Sequence, residues 1–160
     1  MKVAFITGHR IINYPVVRQG IEQLTNLAIE RETTTFLSGM AIGTDQLAAE
    51  VWSSRYLPWK AILPCQDQSA LWTTNQQLHY RKLLTKASEI QILYPKYQRG
   101  VMQARNQFLV KNSQLGLAVW DGTETGGAFL TIQMARNVSK PLIIFNPPFT
   151  ATIYSTTHLS

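Results

Sequence analysis

Three short stretches of the chain combine glycine with polar or charged side chains in a way that suits a phosphate group. The first is Thr7-Gly8-His9-Arg10. Gly8 lets the backbone turn tightly or come close to a ligand, and His9 and Arg10 carry donors for a phosphate or a base. The second is Ser38-Gly39-Met40-Ala41-Ile42-Gly43-Thr44-Asp45. Its two glycines are four residues apart and precede an amphipathic run, so backbone N–H groups and a helix dipole would face an anion there. Ala41 lies between the glycines and Ser38 adds a hydroxyl. Asp45 falls in the first helical turn. It reads as a capping carboxylate, as an acceptor for a ribose hydroxyl, or as the orienter of a nearby arginine. The third stretch runs from Trp120 and Asp121 to Ala128 and holds Gly122, Gly126 and Gly127. Glycines so dense cost chain entropy unless the backbone needs them. Asp121 can accept from a ribose or a base, and Glu124 is the other carboxylate of this loop.

Arg105 is the most informative single residue. At helical spacing it lies between Val101 and Met102 on one side and Phe108 and Leu109 on the other. A guanidinium on an apolar face needs a carboxylate or phosphate partner. That partner is either a ligand or, in a purely structural role, Asp121 or Glu124. A snorkelling side chain is the third option. Asn106, next along, can both donate and accept at the same place.

Other chemistry lacks support in the residues. His9, His79 and His158 match no metal-ligand spacing. Cys65, the single cysteine, follows Pro64 and reads as a small buried residue rather than a nucleophile. One thiol makes neither an intrachain disulfide nor a zinc cage, which predicts a reducing, cytoplasmic compartment. The N-terminal apolar run breaks at Gly8, too early for a signal segment or a membrane span. Neither a P-loop lysine motif nor a GxGxxG fingerprint is present. The net charge of +6 suits an anionic partner without choosing among nucleotide, nucleic acid and acidic protein.

The elements that would position these loops alternate in type. Short apolar runs at Val3 to Thr7, Thr35 to Ser38, Trp59 to Leu63, Ile90 to Leu93, Leu115 to Trp120 and Pro141 to Phe145 read as strands covered on both faces. Helical spacing follows Pro15 (Val17, Ile21, Leu24, Ala28). It recurs over Gly43 to Tyr56, Leu71 to Lys86, Arg99 to Asn112, and Gly127 to Asn137, the last with Leu130, Ile132, Met134 and Ala135. Strand alternating with helix predicts a three-layer α/β, Rossmann-like fold: a mostly parallel sheet of five to seven strands with helices on both faces. Ligands of such sheets bind outside the carboxyl ends of the strands.

These residues also carry a family resemblance. GHR after the first strand, SGMAIGTD after the second, MQARNQFLV on a later helix and WDGTETGG near the end resemble, in that order, the SLOG superfamily. The superfamily name joins the Smf/DprA and Lonely Guy proteins. The branch it looks like is the YpsA-like one, small bacterial and phage proteins, and PCQDQSALW looks like the middle of that branch. The resemblance, over roughly residues 3–146, implies a nucleotide-binding domain, taken as residues 1–148; the stretch 149–160, rich in Thr and Ser, reads as a loosely held tail. SGMAIGTD is similar to the phosphate-binding loop of the DprA proteins, which bind single-stranded DNA. MQARN and the Gly126-Gly127 turn are similar to the two active-site segments of the Lonely Guy enzymes, which cleave the N-glycosidic bond of nucleoside 5′-monophosphates with an Arg and a Glu. Arg105 matches that arginine. The glutamate would fall near Leu130 or Thr131, neither of which is an acid or base, and Ala128 stands where a Thr is usual.

The expected function is therefore binding of a nucleotide or a nucleotide-derived, ADP-ribose-like ligand, as a sensor or by sequestration. The site would draw on Gly8, His9, Arg10, Ser38, Gly39, Ala41, Gly43, Asp45, Arg105, Asn106, Asp121, Gly122, Gly126 and Gly127. A phosphoribohydrolase using Arg105 with Glu124 or Asp121 is the alternative, and a DprA-like single-stranded DNA binder comes third. Bound nucleotide or phosphate is the expected occupant, with no further cofactor or metal required. A small-molecule nucleotide is the expected partner ahead of nucleic acid, with no membrane partner, and self-association stays open.

Overall fold

A computed structural model of the chain describes residues 2–147 and the backbone of 153–155. Strands and helices alternate: β1 (Lys2–Gly8), α1 (Tyr14–Glu30), β2 (Thr33–Ser38), α2 (Thr44–Ser54), β3 (Trp59–Cys65), α3 (Thr74–Leu84), β4 (Glu89–Tyr94), α4 (Val101–Lys111), β5 (Leu115–Val119), α5 (Gly127–Asn137), β6 (Leu142–Phe145) and β7 (Ile153–Ser155). The strands form one sheet in the order β4-β3-β2-β1-β5-β6-β7. The first six are mutually parallel, and β7 pairs antiparallel with β6 through Ile144↔Tyr154. Apart from 153–155, the expected tail lies outside the described residues.

Two cores sandwich the sheet. Val17, Ile21, Leu24 and Ala28 of α1 pack with Leu47, Val51 and Trp52 of α2 and Tyr80 and Leu83 of α3 on one face. Leu109 and Val110 of α4 and Ile132 and Ala135 of α5 cover Phe5, Leu37 and Ile62 on the other. This is the three-layer α/β architecture that the alternation of elements predicts. The strand order reverses between β1 and β5. That is the topological switch point, where two neighbouring strands send their following loops apart and leave a crevice.

Some elements depart from the sequence expectation. β4 is an edge strand, so Ile90 and Ile92 are exposed instead of covered on both faces. α3 begins only after Thr73, whose hydroxyl accepts from the Gln76 amide while the Gln76 side chain accepts from the Thr73 amide. This reciprocal cap fixes the start and leaves Leu71 and Trp72 in the loop before it. On α5 the buried stripe is Ala128, Thr131, Ile132 and Ala135, while Leu130 faces outward.

Candidate functional site

The loops after β1 and β5, the start of α2 and one face of α4 meet in a cleft of about 350 Å³ beside the switch point. Gly8, His9 and Arg10 line it from the β1 loop, Ala41 and Asp45 from the β2 side, Arg105 and Asn106 from α4, and Gly126 and Gly127 from the start of α5. Stretches separated by most of the chain thus share one wall.

Arg105 is 4% exposed and holds the centre. Its Nη1 donates to the Gly39 carbonyl at 2.7 Å and its Nε to Asn106 Oδ1 at 2.9 Å. Nη2 has no hydrogen-bond partner among the described residues. The guanidinium lies against the Cα of Gly39, where a Cβ would stand 2.3 Å from Nη1. Gly39 therefore serves the site by making room for the arginine and lending it a carbonyl. Burial lowers the pKa of Arg105, partly offset by the charge of Asp45. No ion pair within 4.0 Å joins Arg105 to a carboxylate among the described residues, so neither Asp121 nor Glu124 is its partner.

Asp45 is the carboxylate that lines the cleft. It does not cap its own helix: the N-cap of α2 is Gly43, which makes no side-chain cap bond, and Asp45 Oδ2 accepts from the Ala41 amide at 3.3 Å. Burial pushes its pKa up to about 6, against the opposing pull of Arg105, the Ala41 amide and Arg10.

The two glycine-rich helix starts differ in what they offer. In residues 38–45 the amides are largely turned inward. The Met40 amide donates to Ser38 Oγ and the Ala41 amide to Asp45, while the Thr44 amide and hydroxyl both donate to the His9 carbonyl. Ser38 is fully buried and its hydroxyl donates to the Asp45 carbonyl, so it faces the fold rather than the cleft. At α5 the arrangement is open. Gly126 is the N-cap, without a side-chain cap bond, at φ 93° and ψ 177°. This is a region reserved for glycine. The first intrahelical bond runs from the Leu130 amide to the Gly126 carbonyl. The amides of Gly127, Ala128 and Phe129 have no partner among the described residues, as expected for a first helical turn. They carry the positive end of the helix dipole.

The expected residues of the β5 loop, Asp121, Gly122 and Glu124, lie nearby but off this wall. His9 Nε2 accepts from the Asp121 amide at 3.1 Å and sits 3.2 Å from Asp121 Oδ1, so the two tie the β1 and β5 loops together. Hydrogen bonds from Thr123, with the charge of His9 a lesser cause, hold the Asp121 carboxyl below its usual range. Gly122 and Glu124 sit in the exposed outer part of that loop and line no part of the cleft. Sequence reasoning missed Thr125, Met102 and Thr131 as lining residues. Thr131 was legible, because a threonine four residues after a helix start returns its hydroxyl to the i−4 carbonyl. Here it donates to the Gly127 carbonyl at 2.9 Å. Among the described residues no group of three His, Cys, Asp or Glu is arranged to hold a metal ion, and no helix is long and apolar enough to cross a membrane.

Comparison with known proteins fits this fold. Residues 6–142 match the model of the YspA SLOG family. The SPbeta prophage-derived protein YoqJ of Bacillus subtilis is 27% identical over 108 residues, 57% of this chain and 63% of that protein. DNA processing protein A from Helicobacter pylori, a single-stranded DNA binder, superposes with a TM-score of 0.63 at 21% identity, over 89% of this chain and 64% of that one. The molybdenum cofactor binding protein of Rippkaea orientalis superposes with a TM-score of 0.60 at 16% identity, over 92% of this chain and 78% of that one. This chain thus spans less than two thirds of the length of the first two.

Proposed function

The chain belongs to the YspA SLOG family, and from that premise we propose that it binds a nucleotide or nucleotide-derived ligand through its phosphate, as a sensor or by sequestration. The carrying observation is that Gly127 and Ala128, whose amides are open at the start of α5, and the buried Arg105 border one cleft. Partnerless N–H groups at a helix start suit an anion. A buried guanidinium with one nitrogen unpaired is a complementary charged donor. Arg10 adds a second cation at the rim. The reading calls for no acid/base pair, in keeping with Thr131 and Leu130 at the end of the glycine turn.

The test is a thermal shift series with nucleoside mono- and diphosphates and ADP-ribose. A ligand held by the native state alone raises apparent stability by about 2.7 kcal/mol at a hundredfold excess over Kd. A clear rise with at least one phosphate-bearing compound, absent with the matching nucleoside, is the expected result. No shift with any of them at millimolar concentration overturns the reading.

A second reading, cleavage of an N-glycosidic bond, is favoured by one observation: Asp45 is a buried carboxylate on the cleft wall with a pKa near 6, the range of a general acid or base. Release of free base from a nucleoside monophosphate, lost in Asp45→Asn, would establish it. Glu124, exposed and off the wall, is not needed in either reading.

A further inference from the structure

Beside the cleft lies a second hollow of about 490 Å³ between the loop after β3 and the loop before α4. Arg10, Ala41 and Met102 line both spaces, so the two adjoin. The hollow differs from the cleft in chemistry. Leu71 is 99% exposed and Tyr97 66% exposed at its mouth, an unusual outlay of apolar surface. Trp72 lines it as well, held edge-on to Tyr80 with ring centroids 5.0 Å apart.

The walls are braced. The Tyr97 amide donates to Asp67 Oδ1 at 2.8 Å, tying one loop to the other. The Gln77 side chain donates to the Ser69 carbonyl at 2.8 Å, tying the β3 loop to α3. Gln68, on the wall, donates through Nε2 to Tyr80 and to the Gly39 carbonyl. That carbonyl is the one that also receives Arg105. The Gln68 Oε1 is buried and has no donor among the described residues.

We propose that this hollow is the subsite for the nucleobase of the ligand whose phosphate occupies the cleft. The proposal rests on the phosphate-binding reading and narrows it to ligands that carry a planar base. Aromatic and apolar walls suit a flat heterocycle. The shared Gly39 carbonyl links the two compartments, so an occupied base subsite and the position of Arg105 depend on each other.

The experiment is calorimetric titration of the full chain with the four common nucleoside 5′-monophosphates, with ribose 5-phosphate and with the four nucleosides. The titrations are repeated on Ala70→Trp. Ala70 is an exposed residue on the hollow's wall, so an indole there fills the space without disturbing the core; a matching melting curve confirms that the variant folds. At least one monophosphate should bind the unaltered chain tenfold or more tighter than ribose 5-phosphate. In Ala70→Trp that preference should vanish while ribose 5-phosphate binds within twofold of the original. Equal binding of all monophosphates and ribose 5-phosphate overturns the base subsite but leaves the phosphate reading intact. So does a preference that survives in Ala70→Trp, which would move the base to the hollow along Ile11, Ile12 and Pro147. Nucleoside binding lost in Ala70→Trp, with ribose 5-phosphate inert, keeps the base subsite and rejects the phosphate reading. No binding of any compound rejects both.

Discussion

At the scale of single residues, Arg105 and Asp45 decide what the cleft can hold. Each is a buried ionisable group whose opposite number lies in the same wall but beyond ion-pair contact, so Arg105 is poorly compensated until an anion arrives, while Asp45 holds its proton up to about pH 6. Hydrogen bonds to charged groups contribute about 1.5–3 kcal/mol. Arg105→Met should therefore weaken a phosphate-bearing ligand by roughly tenfold to a hundredfold, measured by calorimetry. Arg105→Lys should restore only part, because an ammonium keeps the charge and loses the fork. The Asp45 carboxyl, raised from 3.8 to about 6, makes a prediction in pH. Between those values the folded chain keeps a proton that the unfolded chain has released. The stabilisation is complete below pH 3.8 and is lost as pH rises through about 6. It amounts to roughly 3 kcal/mol at 1.36 kcal/mol per unit. Chemical denaturation across this range should show a falling stability that flattens in Asp45→Asn. An unchanged slope in that variant would assign it to other groups.

At the scale of elements, the start of α5 carries more of the site than the start of α2. Gly126 is at φ 93°, where a side chain costs on the order of 1–3 kcal/mol. Gly126→Ala should lower stability by that amount, or shift the turn and turn the α5 amides away from the cleft. Ligand affinity should fall in either case, which titration beside a denaturation curve will separate from simple unfolding. The succession of strand, glycine-rich loop and helix was legible in the sequence, since apolar runs and glycines are local signals. Which amides stay open was not. The 38–45 loop reads as the better phosphate cradle, yet its Thr44 amide is taken by the His9 carbonyl, 35 residues away, and its Ala41 amide by Asp45. Such pairings are set by packing between elements and leave no trace in spacing. The same holds for Arg105, whose apolar stripe announced a buried charge but whose partner is a backbone carbonyl of Gly39 rather than an acidic loop residue.

At the scale of the whole molecule, the order of strands does the assembling. Because the chain builds outward from β1 to β4 and then returns to β5, loops 9–13 and 120–126 flank the reversal, and α4 is laid across from them. Neither the alternation of elements nor the net charge of +6 specifies that order. It is set by which strands pair across the whole sheet, a non-local choice. The edge position of β4, and hence the exposure of Ile90 and Ile92, was hidden for the same reason.

The central claim is that an anion sits on the α5 amides and Arg105. Amide NMR of this 160-residue chain reads it directly. On titration with a nucleoside monophosphate or ADP-ribose, the amide resonances of residues 127–129 should move most, together with the Arg105 side-chain Nε–H, and Arg105→Met should abolish the movement. Shifts confined to residues 39–45, or to surfaces away from the β1–β5 reversal, would contradict it.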